Sequence, residues 1–265
     1  MRMKEDLKRR ALAASIFGPA VFLVFYLFPP IPFLLFLSLF LLFAFLELCR
    51  MAAIKDSLLA TFLVLSSLFF LLRSRLSFLL FVLLTPCAFL ILSLLRGQRT
   101  PRTPLDLTGA MTVAVFSELF LALPLFHLFL LKKEGTVFAI FALLSLWAAD
   151  IAAYLVGRSL GRTPLSPSLS PRKTCEGLLG AILGSTAVAV AMKGMVGLSS
   201  SASVLIGICL GLLSQLGDLF ESVAKRVFGA KDSSNLIPGH GGLLDRFDSF
   251  IFSVPFLYYS LMELR

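Results

Sequence analysis

Cysteine and histidine are scarce in this sequence of 265 residues: four cysteines and two histidines. Cys49, Cys87, Cys175 and Cys209 form no CxxC pair and no zinc-ligand spacing, which argues against a structural zinc site and a disulfide framework. Most of them sit in or beside apolar blocks, where cysteine behaves as a small hydrophobe. His127 lies in an apolar block far from His240, so the two do not read as a zinc pair. No GxxxxGK[ST] stretch is present, which rules out a Walker A phosphate loop. Internal repeats and low-complexity tails are also lacking. Charged residues make up only 15% of the chain, and acidic residues are outnumbered 15 to 24 by basic ones.

What is abundant is apolar. Hydrophobic residues account for 58% of the chain, where a soluble domain carries about 45–50%, and the mean hydropathy is +0.95. The excess is concentrated in blocks such as FLLFLSLFLLFAFLEL, which places the chain in the membrane class. The blocks are continuous and do not alternate, so they read as helices and not as barrel strands. Nine spans are predicted, at 11–28, 33–49, 57–72, 77–95, 108–131, 136–157, 176–197, 202–225 and 243–264. The fold class is therefore an all-α polytopic membrane helix bundle. MRMKEDLKRR before the first block resembles the start of a secretory signal. Pro29-Pro30-Ile31-Pro32 follows where a small-residue cleavage site would stand, so this segment is read as a retained first helix.

With the N-terminus in the cytoplasm, 18 of the 24 Lys and Arg fall on the inside segments and 6 on the outside. That bias predicts an odd number of spans, with the N-terminus inside and the C-terminus outside, in a cytoplasmic (inner) membrane. The net charge of +9 is then explained by loops held against anionic headgroups, and no nucleic-acid partner is expected. The chain divides into an N-terminal transmembrane scaffold (1–96), a polar connection with a middle helix (97–135), and a C-terminal catalytic region (136–265).

Two inside loops carry unusual chemistry. In the first, Ser170-Pro171-Arg172-Lys173-Thr174-Cys175-Glu176-Gly177 places Thr174 as a helix N-cap, with Arg172 and Lys173 beside the helix dipole, an arrangement suited to an anion. On this segment alone, a positive-inside loop with an ordinary cap explains the residues equally well. The second loop, 218–248, is more specific. Asp218, Glu221 and Lys225 share a helix face, and Asp245 and Asp248 are expected to share another near the start of the last span. Carboxylates near hydrocarbon are costly and mark a function. Carboxylates interleaved with Lys225, Arg226, Lys231 and Arg246 suit a polyphosphate with Mg²⁺, a hard cation that takes oxygen ligands. Gly239-His240-Gly241-Gly242 offers backbone that a phosphate can approach, although tight turns explain most such runs. Asp150, one turn before Tyr154, either belongs to this site or stands apart from it.

Ser222-Val-Ala-Lys225-Arg226, then Lys231-Asp232, then Pro238-Gly239-His240-Gly241-Gly242-Leu243-Leu244-Asp245-Arg246-Phe247-Asp248 resembles the signature of the phosphatidate cytidylyltransferase (CDP-diacylglycerol synthase) family. Ser170–Thr174 with Glu176-Gly177 is similar to the same family, and the strong likeness covers roughly 145–250. Ala224 and Cys175 depart from the family's usual residues at positions that carry no charge. The resemblance implies transfer of CMP from CTP to phosphatidic acid at a cytoplasm-facing site. It gives Asp218 and Asp245 as ligands of Mg²⁺, with a second cation or without one. Lys225, Arg226 and Asp248 join Asp218 and Asp245 as catalytic residues. Asp150, Ser170, Arg172, Lys173, Thr174, Glu176, Ser222, Lys231, Asp232, His240, Gly241, Gly242 and Arg246 are expected to bind substrate. A homodimer is also implied. The alternatives are another CTP-dependent lipid cytidylyltransferase, a lipid kinase, or a membrane transporter. Against the transporter, the charges gather at span ends and no inverted repeat is seen.

Overall fold

A computed structural model describes residues 17–53, 82, 84, 85, 91, 104–230, 233, 234 and 242–264. Its regular structure is almost all helical, as expected. In chain order the helices are α1 (Phe17–Leu27), α2 (Pro30–Met51), α3 (Pro104–Ser117), α4 (Leu123–Glu134), α5 (Thr136–Leu160), α6 (Cys175–Val196), α7 (Ser200–Val227) and α8 (Phe250–Glu263). A five-residue π turn, Glu118–Ala122, joins α3 to α4. Among the described residues, five stretches are long and apolar enough to cross a membrane: α2, Met111–Glu134, α5, α6 and α7. The expected spans 57–72 and 77–95 lie almost wholly outside the described residues, as does the start of 11–28.

Local chemistry sets the helix ends. Pro30 opens α2, where its missing N–H costs nothing. Thr174 caps α6 as expected, its hydroxyl accepting the Gly177 N–H at 3.1 Å. Ser199 caps α7 in the same way, accepting from Ala202 N–H at 3.2 Å. Gly197 ends α6 in the left-handed conformation, φ 74°. Buried Lys132, on α4, donates to the Phe25 carbonyl in the last turn of α1 and to Thr136 Oγ1 at 3.0 Å. One ammonium thus satisfies a carbonyl left open at a helix end and ties α1 to the α4–α5 corner.

Helices α5, α6 and α7 pack closely because small residues line their contacts. A Cβ at Gly184 on α6 would stand 2.8 Å from Ala152 Cβ of α5, and one at Gly211 on α7 would stand 2.7 Å from Ser185 Oγ of α6. Ser185 Oγ also donates to Gly207 O of α7 at 2.7 Å. The largest buried side chains, among them Phe33, Phe45, Phe141 and Leu146, come from α2, α4 and α5.

Two expectations are corrected. The loop 158–177 contains an antiparallel β-hairpin, β1 (Pro164–Ser166) with β2 (Ser170–Thr174). The last span does not begin at 243. Leu244–Arg246 is a 3₁₀ turn and α8 starts at Phe250. The reason is that Asp245 turns back on its own backbone and accepts the Gly242 N–H at 2.8 Å, a local bond that competes with helix formation. Asp245 and Asp248 therefore do not share a helix face.

Candidate functional site

Four pieces of chain meet at one end of the α5–α7 packing: the last turns of α5, strand β2, the last turns of α7, and the 242–249 segment. Spacing on α7 does the first part of the assembly. Asp218, Glu221 and Lys225 sit at i, i+3 and i+7, so they face one way. The chain then returns past the 3₁₀ turn and brings Asp245 and Asp248 against that face. Lys225 Nζ lies 2.6 Å from Glu221 Oε2 and 2.7 Å from Asp245 Oδ1, so one ammonium bridges two carboxylates.

Strand β2 adds a second cation. Lys173 Nζ is 2.5 Å from Asp218 Oδ2. The hairpin that presents it is anchored by Glu176, whose carboxylate accepts the Arg162 N–H at 3.1 Å and the Thr163 N–H at 3.2 Å. Cys175 N–H closes the hairpin base onto Thr163 O at 2.9 Å. Glu176 is thus placed as a backbone anchor of the hairpin.

Asp218, Glu221 and Asp248 each offer a carboxylate oxygen, and these oxygens lie within 4.8 Å of one another. Asp150 joins from α5 through Ser249, whose hydroxyl donates to Asp150 Oδ2 at 3.0 Å and also lies 3.2 Å from Asp248 Oδ1. Five carboxylates thus converge where two ammonium groups make direct ion pairs. Burial pushes the Asp248 carboxyl well above the usual carboxylate range, helped by the charges of Asp218 and Asp150. Burial also acts on Asp245, but its bonds from Lys225 and the Gly242 N–H outweigh it and hold the group at about 2. The two carboxyls, three residues apart, are pushed in opposite directions because only one has a dedicated cation.

The donor set fits a hard cation. Glu221 is 2% exposed, and its carboxylate faces the Lys225 ammonium and the Asp245 carboxyl. Clustered carboxylates with spare lone pairs are what Mg²⁺ or a similar ion requires.

Two cavities adjoin at this cluster. The first, about 580 Å³, is lined by Asp150, Tyr154, Asp218, Asp245, Arg246 and Asp248 among others. The second, about 550 Å³, is lined by Ser170, Ser222, Lys225 and Arg226 among others. Arg172, Lys173 and Asp218 line both and stand at their border. Thr174 lines the first. Of the expected site residues, Lys231, Asp232, His240 and Gly241 lie outside the described residues. Gly242 is buried, and its N–H serves Asp245. The expected metal pair, Asp218 and Asp245, lines one cavity, while the tighter carboxylate grouping is Asp218 with Glu221 and Asp248.

Three contributors were not singled out from the sequence: Ser249, Gln215 in the first cavity wall, and Glu47 on α2. Glu47 carried a signal, since it is a carboxylate inside an apolar block. Gly217 explains how closely Asp248 approaches α7: a Cβ there would collide with the Asp248 carbonyl oxygen. Gly217→Ala is expected to displace Asp248 and lower turnover about 100-fold, the cost typical of a misplacement near 1 Å. Initial rates of the variant, in the assay described below, check this.

A family model described as the cytidylyltransferase family matches residues 8–264. A phosphatidate cytidylyltransferase of Staphylococcus aureus (strain COL) is 44% identical over 134 residues, 50% of this chain and 52% of the relative. One from Staphylococcus epidermidis (strain ATCC 12228) is 46% identical over 134 residues, with the same shares. One from Bacillus subtilis (strain 168) is 42% identical over 142 residues, 51% of this chain and 53% of the relative. The chain thus spans about half the length of the curated relatives it matches.

Proposed function

The chain belongs to the cytidylyltransferase family, and on that premise we propose that it makes CDP-diacylglycerol and pyrophosphate from CTP and phosphatidic acid. The observation that carries the reading is the pair of adjoining cavities sharing Arg172, Lys173 and Asp218. A transfer between two phosphorylated substrates needs two such basins meeting at one charged border.

The reaction asks little of a general base. The phosphate monoester of the lipid is ionised at neutral pH, its second pKa lying near about 6. One of its oxygens attacks the α-phosphorus of CTP. The bond from that phosphorus to the oxygen bridging to the β-phosphate breaks, and pyrophosphate leaves with the electron pair. The obstacle is repulsion between two anions, so catalysis rests on positioning and charge neutralisation. Lys225 and Arg226 bind triphosphate oxygens from the second cavity. Arg172 and Lys173, at the border, neutralise the phosphates where they meet.

Asp218, Glu221 and Asp248 would hold a magnesium ion, with Asp245 as a further carboxylate that lines the first cavity together with Asp218 and Asp248. The ion, when bound, would screen the CTP phosphates and the departing pyrophosphate. A second cation is compatible with the number of carboxylates. Asp150 and Ser249 keep Asp248 oriented.

The first cavity includes Ala153 and Tyr154 on the outward face of α5, which gives a lipid headgroup a sideways approach. The lysine and arginine bias supports cavities that face the cytoplasm, where CTP is found, in a multi-pass protein of a bacterial inner membrane. The proposal includes a homodimer and no nucleic-acid partner.

The test uses purified protein in detergent–lipid micelles with phosphatidic acid, Mg²⁺ and CTP labelled on the α-phosphate. Label should enter the lipid extract, and EDTA should abolish this. Label that stays in the aqueous phase with a folded sample overturns the reading.

A further inference from the structure

The catalytic reading above requires the 242–249 segment to be fixed, because Asp245 and Asp248 have no regular helix to hold them. Part of the fixing comes from α7, through Lys225 and the close approach at Gly217. A further part comes from α2, far away in the sequence. Glu47, in the last turn and a half of α2, is 2% exposed. Its Oε2 accepts the N–H of Leu243 at 2.9 Å, the N–H of Leu244 at 3.0 Å and Ser233 Oγ at 3.3 Å. Its Oε1 accepts Leu243 N–H at 3.0 Å and Ser234 Oγ at 2.6 Å.

These bonds join residues 186 to 197 positions apart. Ser233 Oγ lies 2.9 Å from Asp245 Oδ2, so its one proton is shared between the Asp245 and Glu47 carboxylates and links them. A Cβ on Gly242 would stand 2.6 Å from Glu47 Oε2, so the backbone passes directly over the carboxylate. Phe40, seven residues before Glu47 and therefore on the same face of α2, packs its ring 5.4 Å from that of Phe247. A buried carboxylate is costly unless its lone pairs are filled. Here two successive backbone N–H groups and two hydroxyls fill them with charge-assisted bonds, which are stronger than neutral ones.

We propose that Glu47 is a positioning residue for cytidylyl transfer: it clamps the turn that carries Asp245 and Asp248, so that α2 takes part in the reaction centre. The proposal rests on the cytidylyltransferase reading. Replacing Glu47 by glutamine keeps its size but turns half of the acceptor into a donor facing N–H and O–H groups.

Two readouts on the full chain in micelles test it. The first is amide hydrogen exchange at Leu243 and Leu244, which needs no activity. Glu47→Gln should speed exchange at both by at least about 10-fold, while the melting temperature stays near that of the wild type. The second is kinetic: kcat should fall about 10–100-fold, the usual cost of losing a group that orients metal-site ligands, with KM for CTP changing far less. Ser38→Ala, on the same helix, with a hydroxyl that bonds back to Leu34 O at 2.8 Å, should move neither. Unchanged exchange at Leu243 and Leu244 overturns the clamp. Faster exchange with an unchanged kcat overturns its role in the reaction. A wild type that transfers no label defeats the cytidylyltransferase reading itself, and the exchange result still decides whether Glu47 holds the turn.

Discussion

Asp218→Asn should lower the rate of CMP transfer by about 10²–10³-fold, the range lost when one charge-stabilising group is removed from a reaction centre. Asp218 is the side chain on which the site converges. It belongs to the three-carboxylate group with Glu221 and Asp248, it pairs with Lys173 at 2.5 Å, and it stands at the border of both cavities. The amide keeps the shape and removes the charge. A bound cation would lose a ligand, so the Mg²⁺ concentration for half-maximal rate should rise together with the loss of kcat. Folding should suffer less than activity, because Asp218 is a third exposed and relief of repulsion among neighbouring carboxylates offsets part of the lost Lys173 ion pair. A variant with near-normal kcat and unaltered Mg²⁺ dependence contradicts the assignment of Asp218 as a metal ligand.

Lys225→Met should be the most damaging single change to stability. Its ammonium is 12% exposed and bridges Glu221, 2% exposed, and Asp245, 13% exposed. Removing one partner of a buried ion pair leaves an uncompensated charge and costs about 3–5 kcal/mol. The measurement is the thermal midpoint of purified protein in detergent. Adding Glu221→Met to Lys225→Met should recover part of the loss, because an apolar pair then replaces one buried ion pair, while Asp245 keeps only its bonds from Ser233 and the Gly242 N–H. Activity should not return, since the double variant lacks both a proposed phosphate-binding cation and a carboxylate of the proposed metal group. If Lys225→Met melts with the wild type, the bridge is not holding the site together.

The parts of this architecture that depend on local periodicity were legible in the sequence. The 3.6-residue repeat placed Asp218, Glu221 and Lys225 on one face of α7, and the hydroxyl before an apolar run placed Thr174 as a cap. The hairpin at 164–174 was not legible. Its strands have three and five residues, are rich in proline and serine, and are held by Glu176 and Cys175 bonds to the 162–163 backbone. The start of the last helix was misplaced for a similar reason, since an apolar Leu243-Leu244 pair continues the hydrophobic pattern while Glu47 binds the N–H groups of the pair and Asp245 that of Gly242. Glu47 shows the limit most clearly. Its partners lie 186 to 197 positions away, and no periodic pattern links residues at that range.

The central claim, that a lipid phosphate attacks the α-phosphorus of CTP, is tested most directly by following all the phosphorus in one reaction by ³¹P NMR. The three CTP resonances and that of the lipid monoester should disappear. Pyrophosphate and a lipid-bound diphosphate should appear in equal amounts, and only with Mg²⁺ present. Formation of CDP with a newly phosphorylated lipid, or of orthophosphate with the lipid unchanged, would contradict it.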